Sequence, residues 1–303
     1  MKPNLSAYVE MTVALVLFGS LVVVSKLVTL SFPVFLATAA RLAIATLILA
    51  PLLLATEGRP VAIGRRDWLY LALLALSVQV LFGVFLLYGL RYTGAANAGI
   101  VLATLPAVTA VIGIVALGER MTGRIALALL LAMAGVMVLR GGAVGAITDA
   151  SALLGFGLVF LAVVVDAAAI ILAKMISDRL SALAIMTIVS VLGLLAVLPL
   201  AAWEAAGFDF AAVTTAEAGY VLYYGAIATA LASYLWIRGI RKVSGATAGV
   251  FTSIMPVSAV FLSYLVLAEP VGLAHLIGLA AVLAAILLIA RDQSVKTSSG
   301  APA

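Results

Sequence analysis

The chain contains no cysteine and one histidine, and only 10% of its 303 residues are charged. Without cysteine there is no disulfide framework, no thiol nucleophile and no Cys-based metal site. The lone His275 has no partner nearby in sequence, and the acids are scattered, so neither a metal cluster nor a nucleophile–base pair is visible. No catalytic residue, cofactor or metal is therefore expected. The shortage of charge excludes still more, because a soluble domain of this length must present a solvated surface. The longest breaks between apolar runs, near Glu57–Asp67, Gly142–Ser151 and Trp203–Ala216, are too short to hold a folded soluble domain.

What is abundant is apolar: 66% of residues, with a mean hydropathy of +1.32. Runs of about 20 apolar residues, the length that crosses a hydrocarbon core, recur from end to end. They predict an all-α integral membrane protein of ten transmembrane helices, at roughly 8–30, 33–56, 68–91, 94–118, 121–141, 152–174, 181–202, 217–238, 245–268 and 271–290. The first run is too long for a signal-peptide core and reads as a retained helix. The small, polar residues 293–303 read as a disordered cytoplasmic tail.

An even span count puts both termini on one side, and the basic residues sort accordingly. Lys2, Arg59, Arg65, Arg66, Arg120, Arg124, Lys174, Arg179, Arg238, Arg241, Lys242, Arg291 and Lys296 fall on the side of the termini; Lys26, Arg91 and Arg140 fall on the other. This bias predicts a multi-pass protein of the cell (inner) membrane with both termini cytoplasmic. It also accounts for the net charge of +5 without invoking nucleic acid.

The chain resembles itself. At a shift of 150 residues Leu90–Arg140 lies on Ile240–Ala290 without a gap, matching Arg91 to Arg241, Pro106 to Pro256 and Glu119 to Glu269. At a shift of 148, Lys26 meets Lys174 and Pro51 meets Pro199. The halves are thus 1–145 and 146–292, with five spans each. Five is odd, so the second copy starts on the opposite side and the halves form an inverted repeat. That architecture points to a secondary transporter with its substrate site near the bilayer midplane. A channel would need a polar filter or charged ring, and none is apparent.

Pro106 and Pro256 each fall within an apolar span and are expected to kink it, either as gating hinges or as packing features. Glu10, Arg41 and Asp166 are the ionisable residues placed in or near spans. Glu10 is expected to reach water. Arg41 has Ala37, Thr38 and Ala45 on its face and is read chiefly as a structural charge, with a snorkelling cation and a substrate-anion contact as the other readings. Asp166 occupies the position equivalent to Phe18, eight residues before the matched lysine, and small residues leave space beside it. It could pair with a substrate ammonium, carry a proton, or pair with another helix. Gln79 and Thr229 are equivalents at mid-span. With Asn97, Thr104, Phe82, Tyr88, Tyr223, Tyr224, Tyr234 and Phe251 they could line a cavity for a small molecule; each aromatic could equally be packing. Tyr220 and Trp236, near span ends, read as interfacial belt residues. Glu119 and Glu269 are expected to be structural, each beside the N-terminus of the next helix. The small-residue pairs Ala128/Ala132 and Ala274/Gly278 predict close packing of helices five and ten.

The stretch Leu87–Leu139, LYGLRYTGAANAGIVLATLPAVTAVIGIVALGERMTGRIALALLLAMAGVMVL, resembles the hallmark repeat of EamA-type drug/metabolite transporters. So does Phe18–Leu49, with Gly19, Lys26 and Arg41 at that family's spacing. The resemblance implies a ten-helix metabolite exporter with a central cavity, nearest to the YddG-like exporters of aromatic and other amino acids. Similar proteins often carry tryptophan at the positions of Phe18 and Asp166, so the pattern fails at Asp166. A nucleotide-sugar or phosphate carrier of the same fold is the alternative, but it would need several cavity cations, and Arg41 is the one candidate.

Overall fold

The computed structural model describes residues 5–58, 63–117, 123–142, 150–174, 176, 180–240 and 251–298. Among them every regular element is helical, as a bilayer requires of a chain that must satisfy its backbone hydrogen bonds internally. The spans are α1 (Leu5–Ser31), α2 (Val34–Thr56), α3 (Arg65–Tyr92), α4a and α4b (Ala95–Leu102 and Leu105–Leu117), α5 (Gly123–Gly142), α6 (Ala150–Lys174), α7 (Ala182–Ala206), α8 (215–240), α9 (Ile254–Leu267) and α10 (Leu273–Ser298). Among the described residues seven are long and apolar enough to cross a membrane, and three shorter apolar helices accompany them. Large apolar side chains such as Leu47 and Val115, 73% and 81% exposed, cover the outside of the bundle, the reverse of a soluble protein.

The last helix continues to Ser298; adding a turn to an existing helix needs no new nucleus. The fourth span is interrupted just ahead of its proline. A turn at Ala103–Thr104 separates α4a from α4b, and Pro106 falls in the first turn of the new helix. There its missing N–H would have had no helical partner anyway. The second half repeats the device, with a turn at Thr252–Ser253 and Pro256 just inside α9.

The packing follows the repeat. If α1–α5 correspond to α6–α10, the contact of α1 with α8 maps onto that of α6 with α3. Likewise α1 with α9 maps onto α6 with α4, while α2–α7, α4–α9 and α5–α10 map onto themselves; all these pairs are in contact. Two glycines show the correspondence in atomic detail. A methyl group on Gly89 would lie 2.7 Å from Val159 Cγ2 and 3.1 Å from the Gly155 carbonyl; one on Gly239 would lie 2.5 Å from Met11 Cγ and 3.3 Å from the Ala7 carbonyl. Val159 and Met11, and Gly155 and Ala7, are themselves 148 residues apart. The expected small-residue contact between the fifth and tenth helices is present, and they pack on each other: a methyl on Gly135 would meet the Gly278 carbonyl at 2.8 Å.

The helix ends on the face opposite the termini are tied by carboxylates of the second half. Glu204 of α7 accepts the Leu36 N–H of α2 at 2.8 Å. Glu217 forms a capping box with Thr214 at the start of α8 and also accepts the Ser31 hydroxyl of α1. His275 Nδ1 accepts the Gly272 N–H at 3.1 Å, a local cap at the start of α10.

Candidate functional site

The polar interior begins with an irregularity shared by α3 and α8. Each changes to π-helical winding partway along, over Ala75–Leu81 and Ala226–Leu231. Such i→i+5 segments are rare and are frequent at functional sites. The sequence equivalents Gln79 and Thr229 each sit in one of them, and both are buried.

The two segments are satisfied differently. In α8 the Thr229 hydroxyl donates to the Tyr224 carbonyl at 2.7 Å. In α3 the Gln79 carbonyl accepts from Arg41 Nη2 at 3.0 Å, while the Gln79 side-chain amide lies 3.4 Å from Ser190 Oγ on α7. Arg41 stands seven residues inside α2, about 10 Å along its axis. Its face, with Ala37, Thr38 and Ala45, is buried against protein. Its guanidinium lies over the Tyr224 ring at 5.3 Å.

Several of the expected residues lie in the interior of the bundle. Tyr224 is fully buried, and Tyr88 packs in the same apolar cluster. Tyr88 also lies under Arg91 at 5.3 Å and meets Phe35 edge-on at 6.4 Å. The Tyr223 hydroxyl is hydrogen-bonded to Ser20 Oγ at 2.9 Å. Phe82 packs on the central cluster of Val22, Leu86, Val159 and Val163, where α1, α3 and α6 meet. Thr104 is buried at the break in α4, its hydroxyl bonded to the Val101 carbonyl at 2.7 Å. Phe18, Asn97 and Asp166 are half-buried on α1, α4a and α6. Among the described residues no side chain is bonded to the Asp166 carboxylate.

Tyr234 and Phe251 lie elsewhere. Eleven residues separate Tyr223 from Tyr234, about 16 Å along a helix, so sharing a face does not put them at one depth. Tyr234 lies under Arg238 at 5.6 Å, and Arg238 pairs with Glu10 at 3.2 Å. Phe251 stacks on Tyr8 at 5.4 Å. These residues form a layer at the end of the bundle that carries the N-terminus.

Glu269 is structural, but in a different place from the one expected. Its two oxygens accept the Ala95 and Ala96 N–H groups at 2.8 and 2.9 Å, capping α4a in the other half. Lys26 of α1 donates to the Leu90 carbonyl and, at 3.0 Å, to the Thr93 carbonyl. Lysine and glutamate thus hold the two sides of the Thr93–Gly94 turn. Glu119 lies outside the described residues. Sequence patterns signalled neither Ser20 and Ser190 nor the π segments, because each acts through neighbours brought in by other helices.

Inverted five-helix halves, turns just ahead of two equivalent prolines and a buried polar cluster between the halves define the inverted-repeat class of membrane transporters. The chain belongs to the EamA-like transporter family, whose model matches residues 5–141 and again 153–291. It is 38% identical over 288 residues to a Bacillus subtilis (strain 168) protein named as an uncharacterized transporter, YetK, covering 95% of this chain and 87% of the relative. A second protein of that organism, the permease-like YdzE, is 27% identical over 78 residues, which is 26% of this chain and the whole of that shorter one. A crystal structure shares the fold with a TM-score of 0.67 at 19% identity, covering 95% of this chain and 98% of its own.

Proposed function

We propose that this transporter exports small organic metabolites, foremost aromatic or hydrophobic amino acids, by alternating access through a cavity between its two repeats. On this reading both termini are cytoplasmic, the orientation the basic residues favour. The observation that carries the reading is the pairing of interruptions. α4 is interrupted and α9 begins just before equivalent prolines, and α3 and α8 carry π segments at equivalent positions. Broken and irregular spans of this kind flank midplane substrate sites in inverted-repeat transporters. The surrounding surface is aromatic with few charges, which favours a zwitterion or weakly polar solute over a phosphorylated one. Asp166, inside the bundle and half-buried, is the group suited to a substrate ammonium.

Flux into proteoliposomes tests this with a panel of amino acids, amines and nucleotide sugars, with and without a pH gradient. Phenylalanine and its hydrophobic relatives should move fastest. Asp166→Asn should lower apparent affinity about tenfold, the equivalent of a lost charge-assisted hydrogen bond of about 1.5–3 kcal/mol. Nucleotide-sugar exchange without amino-acid flux would overturn the substrate class. Wild-type kinetics in Asp166→Asn would remove that residue from the site.

A further inference from the structure

Arg41 is a costly group to bury. It is 6% exposed, and among the described residues no carboxylate lies within 4 Å of its guanidinium. One nitrogen, Nη2, donates to the Gln79 carbonyl; Nε is buried with no hydrogen-bond partner. A buried cation left with a carbonyl dipole and one aromatic face is far short of the counter-charge that normally offsets its desolvation.

The bland explanation is that Arg41 exists to satisfy the π segment of α3. The second half provides its own control. The π segment of α8 closes with the hydroxyl of its own Thr229, and the residue equivalent to Arg41 is the buried, apolar Val189. The fold therefore builds this irregularity without a guanidinium, and the charge needs another reason. Two glycines allow the helices to close around it: a methyl on Gly83 would lie 3.4 Å from Nη2, and one on Gly225 would lie 2.9 Å from the Arg41 carbonyl.

We propose that the Arg41 guanidinium is the receptor for a carboxylate group on the transported solute. Arginine suits the role because its planar N–H groups match a carboxylate's two oxygens, and because it stays charged at every relevant pH. The carboxylate takes the free Nε–H edge while Nη2 stays anchored on Gln79. This inference rests on the export reading above and deepens it: a zwitterion meets Arg41 in the first half and Asp166 in the second.

The test uses the purified full-length protein and does not depend on transport. Thermal unfolding midpoints are followed against sodium benzoate, benzamide and sodium chloride, in a sulfate background of constant ionic strength. Benzoate should raise the midpoint saturably, and benzamide, the same ring without the charge, should bind about tenfold more weakly or not at all. Arg41→Lys should retain a weakened benzoate response, and Arg41→Gln should abolish it. If Arg41→Gln does not fold, the benzoate/benzamide ratio in wild type and the Arg41→Lys shift still decide. Equal responses to benzoate and benzamide would overturn the proposal, as would a benzoate response unchanged in Arg41→Lys. Chloride that competes with benzoate at equal strength would make this an inorganic-anion site and overturn it as well. Arg41-dependent benzoate binding in a protein that moves no amino acid would sink the substrate reading and leave the carboxylate site standing.

Discussion

The two halves of this transporter share their backbone and differ in their chemistry. Gly89 and Gly239 bring equivalent pairs of helices together, α3 with α6 and α8 with α1, π segments interrupt α3 and α8, and turns precede Pro106 and Pro256. Side chains at equivalent interior positions have no such likeness: Arg41 against Val189, Gln79 against Thr229, Phe18 against Asp166. Close approach of helices is a demand on both copies, and so is alternation of access on the reading proposed above, so the devices that serve them recur. A solute is not two-fold symmetric, and the walls it touches have no reason to be. Repetition therefore marks what the scaffold needs, and departure from it marks what the ligand needs.

The largest effect on this comparison is expected where one half is held by the other. Glu269→Ala removes two charge-assisted bonds to the N-terminus of α4a and leaves Lys26 without its neighbour. Thermal or denaturant unfolding in detergent should show a loss of about 3 kcal/mol, with Glu269→Gln intermediate. An unchanged midpoint would mean that water caps α4a equally well.

A smaller effect should separate the matched glycines. Gly89→Ala forces a methyl against Val159 and the backbone of α6, for an overpacking cost of about 1–3 kcal/mol. Gly239→Ala meets the side chain of Met11, which can change rotamer, and should cost less than about 1 kcal/mol. Equal losses in a side-by-side unfolding experiment would show that the two contacts are equally stiff.

The smallest change in stability is expected at the prolines. Both stand in the first turn of a helix, where alanine fits, so Pro106→Ala and Pro256→Ala should shift stability by about 0.4–1 kcal/mol through the unfolded chain alone. Turnover should fall more than substrate affinity, because a continuous fourth or ninth span alters the balance of access states. Wild-type flux rates in both variants would make the prolines packing features.

Much of the fold was legible because apolar runs of bilayer length are a long-range signal that survives any local substitution. The predicted spans 33–56 and 181–202 became Val34–Thr56 and Ala182–Ala206. The pairing of α5 with α10 was legible in the same way, since small residues four apart mark a face. The site was less so. Helical spacing tells which residues share a face but not how deep each lies, so Tyr234 was grouped with Tyr223 although it belongs with Arg238 and Glu10. Glu269 was assigned to its own neighbouring helix because sequence shows only adjacency along the chain, and its partners are 173 and 174 residues away. The π segments left no pattern, since their widened winding depends on what packs beside them.

That long reach of Glu269 sets an order on biosynthesis. The ribosome delivers α4a with its first N–H groups exposed, and the carboxylate that meets them emerges only after nearly the whole second half has been inserted. The turn between the third and fourth spans is therefore assembled last although it is made early. Until then the N-terminus of α4a waits on the rest of the chain for its partner.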